Sequence, residues 1–119
     1  MATNYHLRYF AALDALIVAE GGTIPPLPHA NPSEAEIAKL EALAVAVGGT
    51  VPSDGDDVLK RYAAAISALG GAVPTAWLNH REAVIQHAKA LQVARGRIVP
   101  PRADAPTNFH ENLLLILEA

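Results

Sequence analysis

Four stretches of the chain align on one another without a gap: residues 13–25, LDALIVAEGGTIP; 40–52, LEALAVAVGGTVP; 62–74, YAAAISALGGAVP; and 88–100, AKALQVARGRIVP. The first two share nine of thirteen residues, and the Gly and Pro columns carry most of the information, because Ala, Leu and Val recur throughout the chain. Each stretch reads as the end of a helix followed by a fixed stop. Gly21, Gly48, Gly70 and Gly96 stand where a chain leaves its last helical turn through the left-handed region. Ile24, Val51, Val73 and Val99 then precede Pro25, Pro52, Pro74 and Pro100, and a residue before proline is pushed to extended backbone. Each exit thus plants one β-branched side chain, expected to close the helix end by apolar contact.

The helix starts carry matching signals. Asn31-Pro32-Ser33-Glu34 offers a capping Asn, a proline at the first helical position and a Glu in the first turn. Ser53 or Asp54 caps a start that holds Asp56 and Asp57, and Asn108 with Glu111 marks another. Five helices follow, near 4–20, 32–47, 55–69, 75–95 and 108–118. At 100° per residue the first gathers Tyr5, Tyr9, Leu13, Leu16 and Ile17 into one stripe. The second gathers Ile37, Leu40, Leu43, Ala44 and Val47, and the third Leu59, Tyr62, Ile66 and Leu69. Leu113 to Leu117 are five consecutive aliphatics, which also fit a strand.

The fold expected is all-α: one domain over residues 1–119, a compact bundle of about five short helices joined by Gly-Gly-Thr-Val-Pro-type turns and two proline-rich crossovers, 21–31 and 96–107. The segments begin 27, 22 and 26 residues apart, which matches no two-helix solenoid family.

Composition narrows the function classes. The chain has 119 residues, 51% hydrophobic and 5% aromatic, and no cysteine, which excludes disulfide scaffolds and thiolate-ligated metals. Arg8 followed by the apolar run Tyr9–Ala19 mimics a signal peptide, but Asp14 interrupts it, so an amphipathic helix is expected and export is not. The expected location is the cytoplasm, or a particle assembled there.

No arrangement carries catalytic chemistry. His80 and His87 lie two turns apart on the fourth helix, about 10 Å along its axis, too far for one ion to bridge. A metal-dependent enzyme built on them is the weakest of three readings. Asp54, Asp56 and Asp57 lack the ligand alternation of a calcium loop, and the Gly-Gly-Thr turns follow helices instead of opening them, unlike phosphate loops. No cofactor is implied.

Charge is unevenly placed. The net −3 conceals −4 over residues 1–78, +4 over 79–102 and −3 over 103–119. The basic block is Arg81, Lys89, Arg95, Arg97 and Arg102, and with Trp77, His80 and His87 it forms the candidate interaction surface. Arg95 and Arg97 also suit the carbonyl end of a helix. The first functional reading is a non-enzymatic structural or assembly protein acting through protein contacts, homo-oligomeric or with a partner chain, as in an accessory component of a larger particle such as a phage virion. The alternative is a small nucleic-acid-binding adaptor using the basic segment 79–102. No membrane contact is expected.

Overall fold

The computed structural model describes residues 5–25, 32–51, 58–99, 113–114 and 116–118. Four helices are present among them: α1 (Tyr5–Ala19), α2 (Pro32–Ala46), α3 (Val58–Ala68) and α4 (His80–Ala94), with no strand. Where about five helices are expected, four are present among the described residues. Leu113, Leu114, Ile116 and Leu117 are helical and buried, so the strand alternative fails there, while the rest of 108–118 lies mostly outside the described residues. No described helix is long and apolar enough to cross a membrane.

Each helix ends in the same way for a local reason. Gly21, Gly48, Gly70 and Gly96 have φ of 83°, 85°, 80° and 82°, and no other residue type among those described takes a positive φ. The amide after each glycine donates back to a carbonyl five residues earlier: Gly22 to Ile17, Gly49 to Ala44, Gly71 to Ile66 and Arg97 to Gln92. The glycine amides donate to Val18, Val45, Ser67 and Val93. This is the Schellman arrangement, which satisfies carbonyls that a helix end would otherwise leave bare.

The second glycine does different work. A Cβ built on Gly22 would stand 2.6 Å from Ala46 Cβ, and one on Gly71 2.7 Å from Ala94 Cβ. A Cβ on Gly49 would meet the Ala64 carbonyl oxygen at 3.0 Å and Ala68 Cβ at 3.1 Å. The exit of each helix is therefore pressed onto the final turn of the next, so α1, α2, α3 and α4 run parallel with their C-terminal ends together.

Parallel neighbours require the chain to travel back the length of a helix between each pair. A 15-residue helix is about 22 Å long. The nine residues Gly71 to Asn79, extended at roughly 3.3 Å each, cover up to about 30 Å and manage the return without a helical turn to spare. That requirement sets the 22- to 27-residue unit length. The described connection 69–79 is thus a crossover, in addition to the two expected to be rich in proline; 26–31, 52–57 and 100–107 fall outside the described residues.

Two boundaries move for identifiable reasons. α4 begins at His80, five residues later than its predicted start, because Asn79 caps it: Asn79 Oδ1 accepts from Glu82 N at 2.9 Å, and the Glu82 carboxylate accepts from Leu78 N at 2.9 Å. Trp77 consequently lies on the extended return segment and not in the helix. The β-branched residues of the exits also divide, with Val73 and Val99 packed on the core and Ile24 exposed.

The core repeats with the segments. Counting each from its first residue, position one is Leu13, Leu40, Tyr62 or Ala88, position four Leu16, Leu43, Ala65 or Leu91, and position five Ile17, Ala44, Ile66 or Gln92; all are buried. Gln92 is the exception in chemistry. Its Nε2 donates to the carbonyls of Ile116 at 2.8 Å and Leu117 at 3.2 Å, anchoring the C-terminal residues against α4.

Candidate functional site

Ion pairs join the helices in register. Lys39 Nζ reaches Asp14 Oδ1 at 2.6 Å and Arg61 Nη2 reaches Glu41 Oε2 at 2.9 Å, with both cations buried. Asp14 and Glu41 are the second residues of their segments, while Lys39 and Arg61 stand immediately before the next segments. Each rung therefore links one helix to its successor at the same height. The third rung is vacated: Ala63 holds the acid position and the buried His87 the cation position. His87 Nδ1 instead lies 2.7 Å from the Ala83 carbonyl oxygen, and its ring meets Trp77 edge-on at 5.4 Å. These pairs were not singled out from sequence, although aligning the residue before each segment (Ala12, Lys39, Arg61, His87) shows the column.

Above the ladder, Tyr9 and Tyr62 meet in the core with their hydroxyls 2.8 Å apart, and the Tyr9 hydroxyl also bonds the Glu36 carboxylate. With its one proton given to Glu36, Tyr9 accepts from Tyr62. Burial, then the neighbouring Tyr62 and Glu36, pushes the Tyr9 phenol well above its ordinary value. Below about pH 10 both folded and unfolded chains keep this proton, and above it the unfolded chain ionises first. Stability should therefore be flat in this group up to about pH 10 and then fall by at most about 1.4 kcal/mol per pH unit. Thermal melts of wild type and Tyr9→Phe between pH 8 and 11 read this directly: the variant starts lower by about 1 kcal/mol at neutral pH but declines less steeply.

The basic block does not assemble into one cationic face. Arg81 and Arg97 are exposed, Lys89 is half-buried, and Arg102 lies outside the described residues. The Arg95 side chain is buried, its Nε donating to Glu20 Oε2 at 3.0 Å and its Nη1 to Gln92 Oε1 at 2.6 Å. It binds the end of α1 instead of satisfying the carbonyls of its own helix. His80 is exposed and His87 is not, so the two histidines expected to share a surface do not, and Trp77 is half-exposed over His87. Among the described residues no group of three His, Cys, Asp or Glu is placed to hold a metal ion.

Glu20 and Arg95 both occupy position eight of their segments, which sets the end of α4 beside the end of α1 and brings the row of helices round towards closure. Direct helix packing joins α1 to α2, α2 to α3 and α3 to α4, but not α4 to α1. A groove of about 470 Å³ occupies that seam, floored by Ala11, Ala15 and Ala19 of α1 and rimmed by Leu117, Arg95 and Arg97. Arg8 of α1 pairs with Glu118 at 2.9 Å across the same side.

The second surface feature is aliphatic. Val18, Val45 and Val93 stand at position six of their segments, on the faces of α1, α2 and α4 opposite the core, and are 59%, 62% and 64% exposed; Leu7 is 66% exposed on α1. Comparison with family models, with curated proteins and with solved structures finds no match to this chain.

Proposed function

We propose that this protein is a non-enzymatic assembly module, a building part of a larger structure that works through contacts with other protein chains. The observation that carries the reading is the exposed aliphatic row. Valine is a poor helix former and gains nothing from a solvent-facing position, yet three parallel helices carry one at the same register on their outward faces. The charges of α1 are meanwhile taken up within the chain, Arg8 by Glu118, Asp14 by Lys39 and Glu20 by Arg95. The outer side of α1 carries Leu7, Ala11, Ala15, Val18 and Ala19 around the exposed Arg8–Glu118 pair, a largely apolar helical face of the kind that protein interfaces bury.

Because the outward faces of α1, α2 and α4 point in different directions, the reading implies more than one contact per copy. Light scattering over a range of concentrations is the direct test. A mass rising above 12.5 kDa, and falling back on Val18→Asp or Val45→Asp, is the expected result. A constant monomer together with the absence of any retained partner chain would end the proposal.

A further inference from the structure

The third rung of the ion-pair ladder holds a titratable side chain that no described neighbour is placed to keep charged. His87 stands in the column of Lys39 and Arg61, and like them it is buried, at 2% exposure. Those two cations each meet an acid on the preceding helix, Asp14 or Glu41, whereas the matching place on α3 is Ala63. The elements packed around the ring offer no substitute. α3 contains no acid; its Lys60 is exposed and its Arg61 is held by Glu41. The return segment 69–79 has no ionisable side chain. On α4 itself Glu82 closes the helix start, accepting from Leu78 N and Gln86 Nε2, while Arg81 and Lys89 add only positive charge. At the C-terminal end Glu118 pairs with Arg8.

A neutral ring suits this place and a charged one does not. His87 Nδ1 donates its hydrogen to the Ala83 carbonyl oxygen 2.7 Å away, and Nε2 is left as an acceptor with no hydrogen bond among the described residues. A second ring proton would sit on Nε2 with neither an acceptor nor a counter-charge, in a position removed from water. Histidine is the side chain that takes up such a proton close to physiological pH.

What lies over the ring is held by little else. Trp77 meets it edge-on, with ring centres 5.4 Å apart, and is itself 41% exposed. Among the described residues nothing hydrogen-bonds to Ala72 through Trp77, so this part of the return segment rests on side-chain contacts, Val73 on the core and Trp77 on His87.

We infer that His87 and Trp77 form an acid-released latch: proton uptake by the His87 ring drives it from the core, frees the Trp77 indole and loosens the return segment from α4. On the alkaline side the neutral ring keeps the latch closed. This device goes beyond the assembly reading and does not depend on it.

Trp77 is the only tryptophan, so its fluorescence in the full-length protein reports the latch. Between about pH 8 and 5.5, above the range in which carboxylates take up protons, the emission is expected to shift to the red and acrylamide quenching to rise severalfold. Far-UV circular dichroism should keep most of its helical signal. Ala63→Glu supplies the missing acid, so the protonated ring keeps a partner in the core and the red shift should disappear. His87→Asn keeps a donor for the Ala83 carbonyl but cannot titrate, and should abolish the pH dependence whatever its effect on stability. His80→Gln, at the exposed histidine, should behave as wild type. Emission and quenching that stay constant over the range overturn the latch, and so does a change that survives in His87→Asn or in a folded Ala63→Glu protein. A loss of intensity without red shift or added acrylamide access overturns it too, because the ring is then protonated with the indole still in place. A red shift accompanied by loss of the helical signal is unfolding of the whole chain and equally removes the proposal.

Discussion

Lys39→Met is expected to destabilise the fold by about 3 kcal/mol, seen as a urea midpoint lowered by roughly 1–3 M with little change in slope. The lysine is fully buried, its ammonium held by Asp14 at 2.6 Å and 5.8 Å from the centre of the Phe10 ring. Removing the cation leaves the Asp14 carboxylate facing an apolar junction between α1 and α2. Its cost is moderated because the Asp14 side chain is 27% exposed and keeps some water. The pair itself is a different matter, since taking two charges out of water offsets much of their attraction. Asp14→Asn combined with Lys39→Met should therefore recover most of the loss, and the double-mutant cycle gives the coupling. A double variant as unstable as Lys39→Met alone would show that the lysine matters through its packing and not its charge.

The two glycines of one helix exit should respond to substitution by unrelated mechanisms. Gly22→Ala is expected to cost about 2–3 kcal/mol, because the new Cβ would lie 2.6 Å from Ala46 Cβ and 2.9 Å from Ile17 Cγ2, against ordinary carbon contacts of about 3.5–4.0 Å. Gly21→Ala meets nothing within 4 Å and incurs only the left-handed backbone penalty at φ 83°, about 1 kcal/mol. Ala46→Gly discriminates between the two. Alone it costs about 1 kcal/mol as a glycine in a helix, but it removes the closer of the two contacts, leaving Ile17 Cγ2 at 2.9 Å, and should partly rescue Gly22→Ala while leaving Gly21→Ala unchanged. Chemical denaturation of the five variants measures both couplings. An equal response of Gly21→Ala and Gly22→Ala to Ala46→Gly would show that the exit is not pressed onto α2.

Much of the helical content was legible in the residues. The glycine column marks the four helix ends within a residue or two, since a left-handed residue after the last turn is a local necessity that only glycine meets without strain. Most described members of the apolar stripes of α1, α2 and α3 are buried, with Leu13, Leu40 and Tyr62 fully enclosed and Ile37, Val47, Leu59 and Leu69 partly so, since helical periodicity and the demand for an apolar interior are both written in spacing. The start of α4 was misplaced because Thr75 to Leu78 look as helical as their neighbours, and the Asn79 cap outweighs that weak preference.

The candidate surface was far less legible. Arg95 reads as a free cation in any charge count, but whether it meets solvent or Glu20 depends on which helix ends lie side by side, a fact 75 residues apart in the chain. His87 reads as a boundary residue beside the apolar stripe of Val84, Ala88 and Leu91, and the parallel arrangement places it in the core at the height of the ion-pair ladder.

Where each helix stops, which face is apolar and that the unit repeats are all readable along the chain, because caps, φ preferences and helical period act over a few residues. That the helices run parallel, that Lys39 and Arg61 are internal cross-links, and that Ile116 and Leu117 are anchored against α4 came from packing alone. Those features depend on which surfaces meet across long chain separations, where many arrangements share the same local pattern and packing selects among them.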